Sequence, residues 1–143
     1  MIKYPLSFYT HSKSLFGIQT PWPIESQNIT NPCAIPPEFE GPGGGLSPED
    51  LFAQALTNCF VATFKVYAEK SKVSFKEVVV QSELIVDMDS LQKPVMKKCL
   101  LNIKIYGAAN PDRLKTIAEK ALQSGFILNS VKTEISSNIE FFD

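Results

Sequence analysis

The chain has 143 residues, 44% of them hydrophobic and 20% charged, with a net charge of −1 at pH 7; that length supports a core of its own and that composition excludes a disordered chain. The balanced charge and the lone arginine, Arg113, provide no basic footprint for nucleic acid. No apolar run reaches the roughly 18 residues that cross a bilayer and "MIKYPLSFYTHSK" lacks the unbroken apolar stretch of a signal peptide, so a cytoplasmic protein without a membrane partner is expected.

Residues 1–40 are rich in Pro, Ser, Thr and Asn, and the runs "PLSFYT", "KSLFGIQT" and "ESQNIT" are candidate strands of an irregular N-terminal β meander. The segment "NPCAIPPEFEGPGGG" reads as loop throughout, because four prolines and four glycines in fifteen residues deny the backbone a regular ladder. A helix is expected over 48–72. Ser47 is its N-cap and Pro48 its first helical residue, with Glu49 and Asp50 at the positive end of the dipole. Leu51, Phe52, Ala55, Leu56, Cys59, Phe60, Thr63, Val66 and Tyr67 recur at helical spacing, and "CFVATF" is apolar nearly all round, which predicts burial on more than one side.

Across 76–106, Val78, Val80, Leu84 and Val86 alternate with polar residues, as do Cys99, Leu101, Ile103 and Ile105, so two half-buried strands flank the turn "DSLQKP". A second helix over 111–124 is capped by Asn110, begins at Pro111 and carries the stripe Leu114, Ile117, Ala118, Ala121 and Leu122, with Gly125 where a left-handed C-cap would fall. Val131, Thr133, Ile135, Ile139 and Phe141 mark a final strand over 131–142. The whole of 1–143 is expected to be one domain.

Three cysteines and one histidine make neither a disulfide scaffold nor a zinc pattern, so no metal and no cofactor are expected. The glycine-rich loop before the first helix lacks a following Lys-Ser/Thr pair, and Glu49 and Asp50 repel an anion there, which argues against phosphate binding. On spacing alone Cys59 is a core residue, about three turns past the helix start and beyond the terminal dipole. Cys99 faces inward on a strand, Cys33 sits in a proline-rich loop, and any Cys–His relay would have to draw on His11 in the N-terminal meander. Lys97, Lys98 and Lys104 decorate the solvent side of a strand.

One stretch changes that balance. "GGLSPEDLFAQALTNCFVATFKVYAEK" resembles the central-helix signature of the OsmC/Ohr family (osmotically inducible protein C and organic hydroperoxide resistance proteins), and the later helix "PDRLKTIAEKALQSG" and closing "FILNSVKTEISSNIEFF" follow the family's order. The resemblance implies an α+β fold in which a long central helix and a second helix pack on curved antiparallel sheets, as an intertwined homodimer with its sites at the interface. It implies a thiol peroxidase that reduces organic hydroperoxides. Cys59 matches the family's peroxidatic cysteine, and Pro48-Glu49 matches the segment bearing its catalytic glutamate.

Two parts of that machinery are missing. The resolving cysteine falls on Gly125, with Phe126 and Leu128 at the following motif positions, and the activating arginine falls on Glu38 in "PPEFEG". Carboxylates such as Glu38, Glu40 and Glu49 would raise a neighbouring thiol's pKa, and a lysine would have to compensate. Three readings follow: a one-cysteine peroxidase at Cys59 that uses an external thiol reductant, an OsmC-fold protein without peroxidase activity that binds an apolar small molecule at the dimer interface, or a plain structural or protein-interaction role.

Overall fold

The computed structural model describes residues 1–143 and forms two compact units, Met1–Leu51 and Phe52–Asp143. In the first, strands β1 (His11–Ser12), β2 (Trp22–Ser26) and β3 (Ile29–Cys33) form a small antiparallel sheet in that order. The expected strands "PLSFYT" and "KSLFGIQT" do not form. "ESQNIT" instead contains the β2–β3 hairpin turn, where Gln27 and Asn28 both adopt positive φ (51° and 63°) in a two-residue connection. The loop expected from residue 31 onward yields Asn31, Pro32 and Cys33 to β3.

Proline is tolerated in these strands for a positional reason. Pro23 lies opposite Pro32, β1 pairing ends at Ile24, and the carbonyl of Pro32 accepts from the N–H of Leu46 on the far side, so neither missing N–H breaks a ladder bond. The glycine-rich loop turns on itself: Gly41 N–H donates to Pro36 O and Gly43 N–H to Ile35 O, each at 3.1 Å. Ser47 and Asp50 then form a reciprocal cap, Asp50 N–H donating to Ser47 Oγ (3.0 Å) and Ser47 N–H to Asp50 Oδ2 (2.9 Å), which fixes where the long helix α1 (Pro48–Lys70) starts.

The second unit holds most of α1, strands β4 (Glu77–Met88) and β5 (Pro94–Tyr106), helix α2 (Pro111–Ser124) and strand β6 (Glu134–Phe142). Cys99, Leu101, Ile103 and Ile105 form the fully buried row of β5 and share one core with Leu56, Phe60, Phe64 and Ala68 of α1 and the stripe of α2. Burying each large side chain is worth about 1.5–3 kcal/mol before entropy is subtracted. Phe60 and Phe64 stack at 5.5 Å between centroids, and Phe64 meets Phe75 at 5.0 Å.

The fold class is α+β, with one topological detail that differs from the expected antiparallel arrangement. β4 and β5 form an antiparallel hairpin, but β6 pairs parallel to β5, from Lys98↔Glu134 to Tyr106↔Phe142. α2 is the crossover that parallel pairing requires. β6 begins at Glu134; Leu128–Ser130 before it form a turn of 3-10 helix. α1 shows a second difference: in the single chain its far side is open, with Leu51 and Val66 exposed.

Candidate functional site around Cys59

Cys59 lies half-buried in the middle of α1, on the edge of the shared core. Its sulfur rests against Gly125, the residue that ends α2. A Cβ built on Gly125 would lie 2.7 Å from Cys59 Sγ, closer than real Cβ contacts allow, and 3.2 Å from both Ala121 O and Leu128 Cδ1. Gly125 is not the left-handed cap expected from the sequence. Its backbone is extended, φ −60° and ψ 134°, a conformation any residue adopts, while its N–H still closes the last helical bond to Ala121 O at 3.0 Å. Glycine is needed there for space, and the space is filled by the Cys59 thiol.

A side-chain chain of hydrogen bonds fixes the end of α2 that carries Gly125. Ser124 Oγ donates to Lys120 O (2.7 Å), so the Tyr67 hydroxyl is the donor in its 2.7 Å contact with Ser124 Oγ. Lys120 Nζ stands 5.0 Å above the Tyr67 ring. Spacing alone links Tyr67 to the stripe of α1; its bond to Ser124 needs the helix packing to be seen.

The other candidate residues fall elsewhere. Glu49 is in the first turn of α1, ten residues before Cys59 on the same helix, a rise of about 15 Å. Its Oε2 is buried without a hydrogen-bond partner. What the fold does bring near Glu49 and Asp50 is Cys33: burial pushes that thiol's pKa up, the Ala34 backbone N–H opposes this, and the two carboxylates push it further up. Cys99 is fully buried and burial alone raises its pKa. Both shifts disfavour the thiolate, which is the nucleophilic form.

Glu38 lies in a 3-10 turn, Pro37–Phe39. Arg113 is committed: its backbone N–H is capped by Asn110 Oδ1 and its guanidinium donates to Ser71 O at 3.2 Å, closing the C-terminal end of α1. His11 is exposed on β1 opposite Glu25. Lys97 Nζ donates to Met88 O (3.1 Å) and Lys104 Nζ lies 6.0 Å from the Phe142 ring. No three His, Cys, Asp or Glu side chains cluster to hold a metal ion, and no helix is long and apolar enough to cross a membrane.

Comparison with known proteins identifies the family and the fold. The family profile described as OsmC-like protein matches residues 41–140, and the chain belongs to that family. The uncharacterized protein YmaD of Bacillus subtilis is 30% identical over 81 residues, covering 51% of this chain; the match spans about half, 54%, of that protein's length. An OsmC-like protein of unknown function from Vibrio cholerae superposes with a TM-score of 0.83 at 19% identity, covering 94% of this chain and 99% of that one. An organic hydroperoxide resistance protein from Legionella pneumophila superposes with a TM-score of 0.70 at 19% identity, covering 99% of this chain and 100% of that one.

Proposed function

We propose that the protein is a thiol-dependent peroxidase that reduces organic hydroperoxides through Cys59 as a one-cysteine enzyme, serving oxidative stress defence in the cytoplasm. The observation that supports this reading is that Cys59, the residue the family resemblance assigns as peroxidatic, is half-buried with its sulfur against Gly125, whereas Cys33 and Cys99 are buried and burial raises their pKa values. In the reaction the Cys59 thiolate attacks the terminal oxygen of the hydroperoxide and the O–O bond breaks. The alkoxide leaves as the alcohol after taking a proton, and the sulfur becomes a sulfenic acid that an external thiol reduces.

The active unit is a homodimer and 1–143 works as one domain within it. Support comes from the uncovered side of α1 and from the outward apolar side chains of the first 18 residues, among them Phe8 (82% exposed) and Phe16 (102% exposed), more than a lone soluble chain leaves in water. Glu49, too far along α1 to reach the Cys59 of its own chain, takes the family's glutamate role across the homodimer, and a donor from the partner copy satisfies its buried, unpartnered Oε2.

The second reading, an OsmC-fold protein without peroxidase activity that binds an apolar small molecule at the dimer interface, is favoured by one observation. The only guanidinium is already bonded to Ser71 O and is not available to a departing alkoxide. Consumption of cumene hydroperoxide by the wild type and by Cys59→Ser, with a dithiol and a monothiol as reductants, decides between them. The peroxidase reading expects turnover that Cys59→Ser abolishes; equal rates, or none in either protein, would sink it. An apolar compound copurifying with an inactive wild type would then support the second.

A further inference from the structure

Gly125 has no backbone reason to be glycine, since its φ of −60° suits any residue. The constraint is the Cys59 sulfur, 2.7 Å from where a Cβ would be. In a disulfide with an S–S bond near 2.05 Å, each Cβ lies about 3 Å from the far sulfur. Position 125 therefore already stands at disulfide range from Cys59, and the residue there supplies no sulfur. The chain has no substitute: Cys33 is 2% exposed and Cys99 not at all. The next two residues, Phe126 and Ile127, are 62% and 42% exposed, so the Gly125 side of the thiol lies beside chain that is open to solvent.

We infer that Gly125 sets the reductant class of this site: oxidised Cys59 is released through a mixed disulfide with an external monothiol of low molecular mass, which does what a cysteine at 125 would do within the chain. The inference rests on the peroxidase reading for its oxidant only. A first monothiol attacks the sulfenic sulfur, an S–S bond forms and water leaves. A second thiolate breaks that bond, returning Cys59 as its thiolate and leaving the monothiol as its own disulfide, so two thiols are oxidised for each hydroperoxide reduced. A thiol at 125 and an external thiol are mutually exclusive at this sulfur.

The test uses the full chain and glutathione as the monothiol probe, read by peptide-mapped mass spectrometry. Exposed to glutathione disulfide, with no peroxide present, the wild type carries the adduct on Cys59, and Gly125→Ala, which adds the crowding Cβ without a sulfur, forms no internal disulfide at Cys59. Gly125→Cys carries at least tenfold less and instead loses two hydrogens as Cys59 forms a disulfide with the introduced thiol. Equal adduct in Gly125→Cys and wild type, an adduct mapped to another cysteine, or no adduct on wild-type Cys59 would overturn the inference; the wild-type result does so even if the variants misfold. In a second arm, cumene hydroperoxide with glutathione gives the same adduct on the wild type. Failure of that arm alone overturns the peroxidase reading and leaves Gly125's control of the mixed disulfide standing.

Discussion

Residues 52–143 and residues 1–51 use their apolar side chains in opposite ways. In the second unit they point inward: Leu56, Phe60, Phe64, Leu101, Ile103, Ile105 and Leu114 are all essentially inaccessible. In the first, the buried hydrophobic positions are Cys33 and Ala34, while Phe8, Tyr9, Leu15 and Phe16 are open. A region that hides its apolar surface is stabilised by its own chain, whereas in the proposed homodimer one that displays it would gain stability by association, which depends on concentration.

The largest test of that contrast is Phe60→Ala, expected to cost about 3–5 kcal/mol because the cavity opens beneath both Phe64 and the β5 row. Urea unfolding monitored by circular dichroism measures it, and a loss below about 1 kcal/mol would mean that the second unit is not a packed core. Next comes Gly125→Leu, expected to cost about 1–3 kcal/mol through overpacking against the thiol. The same substitution made on Cys59→Ala should cost clearly less, because the sulfur it strikes is gone. Equal costs in the two backgrounds would show that the thiol does not define that space.

Phe8→Ser with Phe16→Ser probes the first unit. The pair should weaken self-association by about tenfold or more, equal to some 1.4 kcal/mol, as read by sedimentation velocity over a dilution series. Unchanged association would make those side chains ordinary surface. The smallest effect is one of pH. Burial raises the pKa values of Cys33 and Cys99 above the ordinary thiol value of 9.0, so the folded chain keeps these protons when the unfolded chain has lost them. Their contribution is complete below that value and is lost as pH climbs through the folded pKa values. The urea midpoint should therefore fall above about pH 9, and Cys99→Ala should flatten that fall even though it lowers the midpoint at neutral pH.

The same contrast governs what the sequence discloses. Asn110, Pro111 and the stripe from Leu114 to Ala121 delimit α2 because capping and periodicity act locally, and the alternation in β4 and β5 shows for the same reason. The N-terminal strands are opaque: they are short and carry Pro23 and Pro32, tolerated only because of which neighbours their carbonyls face. The parallel pairing of β6 is likewise set by the α2 crossover and leaves no mark in an alternating pattern. At the site, Cys59 is visible through its helix motif, but the end of the α2 pattern gives Gly125 only the role of a left-handed C-cap. Only the packed α2 terminus reveals that it makes room for sulfur. Tyr67 is invisible as a partner of Ser124 because 57 residues separate them.

The β5–α2–β6 connection also bears on the order of assembly. β4 and β5 close through a tight turn around Asp89, whereas Asn102 and Asn138 meet across 36 residues. Closing the longer segment costs more chain entropy before any contact repays it. Gly125 lies inside that longer segment, so the thiol's neighbour is installed by the non-local step of folding, after the helix that bears Cys59 already has every local reason to exist.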